Sequence, residues 1–217
     1  MNTGKQLIGI YGGTFDPIHN GHLRIATAIL QALNLQGVQF IPNNYPIHRD
    51  IPVADAQDRL AMLQIATKNN PAFFVNNIEL NRAGPSYTID TLKQLRKENP
   101  SQTLCLLIGE DAFAKINQWH EWESLTDLAH LIIFNRPGVK RPYAPEIESL
   151  LQARKTKNIA DLRQQDAGFI MQNISDPIDL SATQVREKLK AGKDVLPDIP
   201  EEVYDYIKNH QLYSSHK

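Results

Sequence analysis

Short apolar runs alternate with amphipathic segments along most of the 217-residue chain. Apolar residues at 7–11 give way to two glycines and then to a helical pattern at about 21–33, and a second apolar run at 38–41 ends at Pro42. Apolar side chains return at near-helical spacing over 55–67. This strand–helix–strand alternation predicts an α/β fold with a mostly parallel sheet and right-handed crossovers.

The middle of the chain continues the same alternation. Strands are predicted at 73–75, 103–108 and 129–134, with a sixth at 168–172, and a helix is predicted at 88–97. The run at 103–108 is almost continuously apolar, which is typical of a strand covered on both faces. These elements predict a doubly wound, Rossmann-like sheet.

Two short helices are predicted to end the chain. Ser181 is a typical N-cap for the first of them, and Pro200 suits the first turn of the second. We therefore expect a single domain over residues 1–217, with a Rossmann-like core at about 1–178 and a small C-terminal helical part at about 179–217.

The charge balance limits the partners of the chain. Its formal net charge is -1, so no overall field would draw it to nucleic acid or to an anionic membrane. It has no apolar run long enough to span a bilayer, and no apolar stretch typical of a signal peptide follows Met1. We expect a water-soluble, cytoplasmic protein without a nucleic-acid or membrane partner, and the sequence leaves a homo-oligomer open.

The chain contains one cysteine, Cys105, which lies within the apolar run at 103–108. We expect its thiol to be a buried, small apolar group rather than a nucleophile. A single cysteine excludes a disulfide framework and a cysteine metal cluster.

The loop after the first predicted strand is the strongest functional signal. Residues 12–22 read Gly-Gly-Thr-Phe-Asp-Pro-Ile-His-Asn-Gly-His. Ligands of doubly wound sheets bind beyond the carboxyl ends of the strands. Gly12 and Gly13 would let the backbone approach a phosphate or take a positive φ, and a helix that starts near Gly21 and His22 would offer free N–H groups to an anion. The loop matches neither the dinucleotide-binding fingerprint nor the P-loop.

Two histidines in this loop, His19 and His22, allow three interpretations. Their imidazoles can donate hydrogen bonds to a phosphoryl group and stabilise its transition state. They could instead be a zinc pair, although only Asp16 lies nearby as a further ligand. They could also serve the conformation of a tight turn alone.

The segment from Gly12 to Leu23 resembles the signature of the nucleotidylyltransferase superfamily that carries a His-x-Gly-His motif. Its long form, together with later segments, resembles the bacterial nicotinate-nucleotide adenylyltransferases. The resemblance extends from Gly9 to about Tyr213. It is weakest between Lys140 and Gln165, where the sequence gives little signal beyond a predicted surface loop at 137–145.

The resemblance implies an enzyme that joins the AMP moiety of ATP to nicotinate mononucleotide, with release of pyrophosphate, in NAD biosynthesis. It implies Mg²⁺ on the phosphates of ATP, and no dedicated metal site in the protein. It assigns catalytic roles to His19, His22 and Arg186.

Four segments carry the implied ATP site. Beside the first loop, 42–49 resembles a second-strand loop in which Arg49 stands where the family has lysine, and 107–111 resembles the family's Gly-x-Asp. Segment 178–186 resembles the second signature of the superfamily, with Ala182 at the middle serine. The implied ATP-binding residues are Gly12, Gly13, Thr14, Phe15, His48, Arg49, Gly109, Asp111, Ser181 and Thr183.

Two further segments carry the implied site for nicotinate mononucleotide. Segment 79–92 resembles the family segment in which Ser-Tyr-Thr leads into a helix whose N–H groups would take the nicotinate carboxylate. Segment 119–122 resembles a loop whose indole stacks on the pyridine ring, and Trp122 stays a candidate for the core. The implied residues are Ser86, Tyr87, Thr88, Trp119 and Arg136.

Other functions remain open on the sequence. The same fold could act on nicotinamide mononucleotide, on phosphopantetheine, or on an alcohol phosphate with CTP; the segments around Tyr87 and Trp119 argue against the last two. The chain could also be a nucleotide-binding module without catalysis, against which the presence of His19, His22 and Arg186 argues.

Overall fold

The computed structural model describes residues 5–44, 51–135, 142–172 and 178–214. Its six-stranded sheet has the order β3-β2-β1-β4-β5-β6, and every neighbouring pair is parallel. The doubly wound α/β fold predicted from the sequence is therefore confirmed. The strands are β1 Leu7–Gly13, β2 Gly37–Pro42, β3 Phe73–Val75, β4 Thr103–Gly109, β5 His130–Phe134 and β6 Ile170–Gln172.

Helices connect these strands and end the chain. They are α1 Asn20–Ala32, α2 Ala56–Thr67, α3 Thr88–Glu98, α4 Glu110–Phe113, α5 Leu125–Leu128, α6 Pro145–Arg154, α7 Ile159–Leu162, α8 Ala182–Lys190 and α9 Glu201–Asn209. Two 3-10 turns, Ile116–Gln118 and Trp122–Ser124, lie between α4 and α5. None of the helices described here is long and apolar enough to cross a membrane.

Helices α6 and α7 fill the region where the sequence gave little signal. Helix α6 starts with Pro145 at its first position and buries only Ile147 and Leu151 along one face. Helix α7 has four residues. A proline is compatible with the first turn of a helix, so it could not distinguish a loop from a helix start here.

Two apolar clusters cover the two faces of the sheet. Along β4 the side chains alternate between them: Cys105 and Leu107 belong to the first cluster, and Leu104 and Leu106 to the second. Every residue of β4 is buried, as predicted. Burial raises the pKa of the Cys105 thiol to about 12, which fits an inert apolar side chain.

The C-terminal helices share the first cluster with the sheet. Helix α8 contributes Val185, and helix α9 contributes Val203 and Ile207. Their apolar faces therefore pack on the same side of the sheet as α1, close to the carboxyl end of β1.

A buried histidine links β5 to the chain before β6 at the amino end of these strands. His130, at the start of β5, has no exposed surface. Its Nδ1 accepts the N–H of Phe169, and its Nε2 lies 3.2 Å from the carbonyl oxygens of Leu162 and Gln165. These contacts require a neutral ring that carries its proton on Nε2. Burial lowers the pKa of His130.

This histidine predicts a pH-dependent stability. The unfolded chain has a histidine pKa of about 6.5 and binds a proton that folded His130 resists, so its contribution is present above about pH 6.5 and is lost as the pH falls. We expect the melting temperature to decline between about pH 7.5 and 5.5, and to decline less steeply in His130→Gln. His210→Gln, at an exposed position, should keep the wild-type slope. Parallel pH profiles for wild type and His130→Gln would contradict this role.

Candidate active site

The site lies where the strand order reverses, between β1 and β4. Crevices of doubly wound sheets form beyond the carboxyl ends of such neighbours. Strand β1 ends at Gly12 and Gly13, and β4 ends at Gly109, which is also the N-cap of α4. The structure thus brings together three glycines that the resemblance assigned to ATP.

The two glycines at the carboxyl end of β1 differ in the space beside them. A Cβ added to Gly12 would meet nothing within 4 Å, whereas one added to Gly13 would lie 3.0 Å from the ring of Phe15. Neither glycine has a positive φ, so that part of the sequence interpretation was wrong; Phe15 takes the left-handed conformation instead, with φ 50°. Gly12 leaves open space at the strand end, and Gly13 makes room for an aromatic ring.

Only some groups of Phe15 and Thr14 are placed to contact a ligand. The Phe15 ring is 2% exposed and packs edge-on against Tyr11 and His22, so only its main chain could contact a nucleotide. The Thr14 hydroxyl is buried and has no hydrogen-bond partner in the described segments. A buried hydroxyl without a partner beside the open strand end is a candidate ligand contact.

The two histidines hold each other at the start of α1, which begins at Asn20. His19 is the N-cap and its Nδ1 accepts the N–H of His22, while the Nδ1 of His22 accepts the N–H of His19, both at 3.3 Å. Their rings stack with centroids 3.6 Å apart. Because both Nδ1 atoms accept, the neutral rings carry their protons on Nε2. The pair therefore has a conformational role, and its chemical role stays a prediction.

The zinc interpretation of this pair finds no support among the described residues. No group of three or more His, Cys, Asp and Glu side chains there could hold a metal ion. The carboxylate of Asp16 is engaged elsewhere.

The carboxylate of Asp16 connects several distant segments, a role that the sequence did not reveal. It is 4% exposed. Its Oδ2 accepts the N–H of Val53 at 2.8 Å, and its Oδ1 accepts the N–H of Ala54 at 3.0 Å and the hydroxyl of Tyr213 at 2.7 Å. The carboxylate therefore joins the loop after β1 to the segment before α2 and to the C-terminal tail. Its partners lie far away in sequence, so spacing gave no signal for them.

Arg186 reaches the same loop from α8. Its Nη1 donates to the main-chain oxygen of Asp16 at 2.7 Å and lies 3.8 Å from the Asp16 carboxylate. Its Nη2 donates to the hydroxyl of Thr183 at 3.3 Å. The structure thus brings the second signature segment against the loop that carries His19 and His22.

Two predicted hydroxyl contacts of α8 are used inside the helix. Ser181 is the N-cap; its hydroxyl lies 3.3 Å from the N–H of Gln184 and 3.0 Å from the Oε1 of the same residue. The Thr183 hydroxyl, at an exposed position, accepts from Arg186. A phosphate could reach the Ser181 hydroxyl only by replacing a capping bond.

A second buried charge, Arg59 of α2, lies under the loop and was also missed. It is 1% exposed, and its Nη1 donates to the carbonyls of Thr14 and Asn43, both at 2.8 Å. Burial lowers the pKa of Arg59, and the charge of Asp16 opposes this shift. Arg59 therefore links the loops after β1 and β2.

The predicted nicotinate segments lie side by side. Tyr87 is the N-cap of α3, which starts at Thr88, and its ring lies 4.5 Å from that of His120. Lys93 pairs with Glu121 at 2.6 Å. Trp119, next to His120, is half-buried against the second cluster, and so is Trp122. Burial therefore does not distinguish the predicted stacking residue, Trp119, from the core candidate, Trp122.

The Ser86 hydroxyl is oriented by protein groups. It accepts the N–H of Asn44 at 2.9 Å and makes a hydrogen bond with Glu79, which is 7% exposed. Burial raises the pKa of Glu79, and bonds from Thr91 and Ser86 oppose the rise. Since the bond from Ser86 lowers the pKa of Glu79, the Ser86 hydroxyl donates its hydrogen bond to the Glu79 carboxylate. Recognition of a substrate carboxylate would then fall to the first N–H groups of α3, which has no side-chain cap.

The remaining predicted residues divide into two groups. Asp111 is exposed in the short helix α4, two residues after Gly109. His48, Arg49 and Arg136 lie outside the described residues, and their roles stay predictions.

Comparison with known proteins decides the family. The model of the cytidylyltransferase-like family matches residues 10–188. Over 209 residues the chain is 44% identical to a probable nicotinate-nucleotide adenylyltransferase of Hydrogenovibrio crunogenus, covering 96% of this chain and 98% of that relative. A probable nicotinate-nucleotide adenylyltransferase of Aeromonas salmonicida is 44% identical over 211 residues, with 97% and 99% covered.

The chain belongs to the nicotinate-nucleotide adenylyltransferase family. Solved structures share its fold. A Plasmodium falciparum nicotinic acid mononucleotide adenylyltransferase complexed with NaAD superposes with a TM-score of 0.73 at 22% identity, covering 96% of this chain and 97% of that one. The same protein complexed with APC gives a TM-score of 0.72.

Within this adenylyltransferase, Arg59 should be a major contributor to stability. Arg59→Met would leave the carbonyls of Thr14 and Asn43 without this donor and would remove a positive charge that interacts with Asp16, and we expect a loss of about 2–3 kcal/mol in the free energy of unfolding. The exposed Arg24 of α1 offers a matched control, since Arg24→Met should change stability by less than about 0.5 kcal/mol. Denaturant unfolding of both variants measures the difference, and equal losses would contradict the role of Arg59.

Proposed function

We propose that this chain transfers the adenylyl group of ATP to nicotinate mononucleotide, yielding nicotinate adenine dinucleotide and pyrophosphate. The observation that carries the proposal is the arrangement at the end of β1. There the stacked pair of His19 and His22 stands at the start of α1, and Arg186 lies against the same loop. Relatives 44% identical over nearly the whole chain are named for this reaction.

The reaction needs positioning and charge stabilisation more than covalent chemistry. A phosphate oxygen of nicotinate mononucleotide attacks the α-phosphorus in line, the new P–O bond forms, and the bond to the β-phosphate oxygen breaks to release pyrophosphate. The Nε2–H groups of His19 and His22 and the guanidinium of Arg186 would stabilise the charge that develops, together with His48. No covalent enzyme intermediate is required.

The space at the strand ends suits the nucleotide. An added Cβ at Gly12 would point into open space, and the N–H groups of Thr14 and Phe15 donate to no acceptor among the described residues. A phosphate placed there would meet main-chain donors and the start of α1. Gly109 and Asp111 would face the adenosine side, beyond β4.

The acid group of the acceptor fits the start of α3. This 11-residue helix has no side-chain N-cap, so its first N–H groups and dipole favour a carboxylate over a neutral amide. Tyr87 and Thr88 stand at this terminus, and Trp119 lies in the segment packed beside it. This asymmetry supports the acid substrate over nicotinamide mononucleotide.

Magnesium is part of the proposal as a companion of ATP. The described residues include no group of three or more His, Cys, Asp and Glu side chains that could hold a metal ion, and the oxygens of Asp16 accept from three protein donors. Mg²⁺ would therefore be held mainly by nucleotide phosphates and water. There it would neutralise phosphate charge, while the protein supplies donors and positive charge.

The proposed cellular location rests on the cysteine and the net charge. We place it in the cytoplasm, in line with a reduced, buried cysteine as the chain's lone thiol and a net charge near zero. Nucleotides are its partners in this proposal.

The deciding experiment is pyrophosphate release from ATP and Mg²⁺ with nicotinate mononucleotide or nicotinamide mononucleotide as acceptor. We expect the acid to be preferred strongly, because a charge-assisted contact at the start of α3 is absent with the amide. Phosphopantetheine, and an alcohol phosphate with CTP, serve as further acceptors.

Each outcome of this assay has a distinct meaning. Comparable rates with acid and amide would contradict carboxylate recognition by α3 and leave adenylyl transfer standing. Release with another acceptor alone would replace the proposed substrate. Tight ATP binding without release under any condition would favour the non-catalytic module.

A second prediction concerns His22. We expect His22→Ala to lower turnover by about 10²- to 10⁴-fold with smaller changes in nucleotide affinity, because the imidazole acts mainly in the transition state. His22→Asn keeps an acceptor for the N–H of His19 and should lose turnover similarly with less loss of melting temperature. His210→Ala, at an exposed position, is the control, and wild-type turnover in His22→Asn would refute the chemical role.

A further inference from the structure

The C-terminal tail reaches the active-site loop through a strained turn. After α9, Gln211 and Tyr213 have φ values of 53° and 59°, a left-handed conformation that residues with side chains rarely adopt. Tyr213 is nevertheless only 4% exposed and belongs to the first apolar cluster. Strain retained around one buried side chain points to a constraint imposed by the contacts of that side chain.

The contact in question is between the Tyr213 hydroxyl and Asp16. The hydroxyl donates to Oδ1 at 2.7 Å, across 197 positions of sequence. Burial, aided by the charge of Asp16, raises the pKa of Tyr213, so the phenol stays a donor. With the N–H groups of Val53 and Ala54, it gives the carboxylate three donors from two segments.

Asp16 in turn sets the position of Arg186. The guanidinium donates to the main-chain oxygen of Asp16 at 2.7 Å and stays 3.8 Å from the carboxylate, with 22% of the arginine side chain exposed. A buried carboxylate that lost one donor would be destabilised, and a new hydrogen bond from a nearby donor would restore the lost energy. Arg186 is close enough to supply it by moving onto the carboxylate, away from the open side of the loop.

We propose that Tyr213 is a positioning residue that acts through Asp16 to keep the Arg186 guanidinium available for the polyphosphate of the nucleotide. This inference rests on the proposed function, because it takes Arg186 to bind the β- and γ-phosphates. Without the phenol hydroxyl, Arg186 pairs with Asp16 and its contact with the polyphosphate weakens.

Tyr213→Phe removes the hydroxyl and keeps the buried ring. We expect this variant to bind inorganic tripolyphosphate about five- to tenfold more weakly by calorimetry, as for the weakening of one charge-assisted contact. In turnover assays kcat should fall and the KM for ATP should rise, while the KM for nicotinate mononucleotide stays near wild type. All measurements are made well below the melting temperature of each variant.

The chain offers a matched control in Tyr206. Its hydroxyl also donates to a carboxylate, that of Asp58 at 2.9 Å, and links α9 to α2 without contacting Asp16. Tyr206→Phe should therefore bind tripolyphosphate like the wild type. In an Arg186→Ala background, Tyr213→Phe should cause no further loss, since residues that act through one another are not additive.

Three results in the variants would overturn the inference. These are wild-type tripolyphosphate binding in Tyr213→Phe, an equal loss in Tyr206→Phe, and an undiminished loss in the Arg186→Ala background. A wild-type protein that binds no tripolyphosphate would overturn it as well. If turnover with nicotinate mononucleotide is absent while binding depends on Tyr213 through Arg186, the proposed acceptor fails and the inference stands.

Discussion

The loop after β1 depends on a buried carboxylate that is satisfied only by distant parts of the chain. Asp16 accepts from Val53, Ala54 and Tyr213, and its main-chain oxygen accepts from Arg186. An ionised group removed from water is strongly destabilising unless donors surround it. The segment before α2, helix α8 and the C-terminal tail therefore all stabilise this conformation of the loop.

The buried and the partly exposed polar groups around this loop have different roles. Asp16 and Arg59 are almost fully buried, and their partners are protein groups, so they maintain the loop. Arg186 and His22 are only partly buried. The net charge of the chain is close to zero. Positive charge and N–H donors can nevertheless face phosphates at this one place, because the carboxylate of Asp16 is buried behind them.

Much of the fold could be predicted because its signals are local. The alternation of apolar runs and helical patterns located all six strands, and the buried run at 103–108 became the fully covered strand β4. Helices α6 and α7 could not be predicted in the same way, because one buries a single narrow face and the other has only one turn. Short elements of this kind are stabilised by tertiary packing rather than by their own sequence.

The candidate site could be located, but its hydrogen bonds could not be assigned. The loop at 12–22 and the segment ending at Arg186 were predicted to share a site, and the structure brings them together. Ser86 and Ser181 were expected to face a ligand, yet their hydroxyls also serve Glu79, Asn44 and Gln184. A hydroxyl has one proton, and only the folded surroundings decide which acceptor receives it.

By itself the sequence determined the order of the elements, the glycine-rich loop at the switch point and the family to which the chain belongs. These follow from residue type and spacing along the chain, which folding does not change. The tertiary structure decided that Phe15 rather than a glycine takes the left-handed conformation, and that each of the two histidine rings carries its proton on Nε2. It also decided that the Tyr213 hydroxyl donates a hydrogen bond to Asp16. Such contacts join residues that packing alone brings together, so their spacing in sequence carries no signal for them.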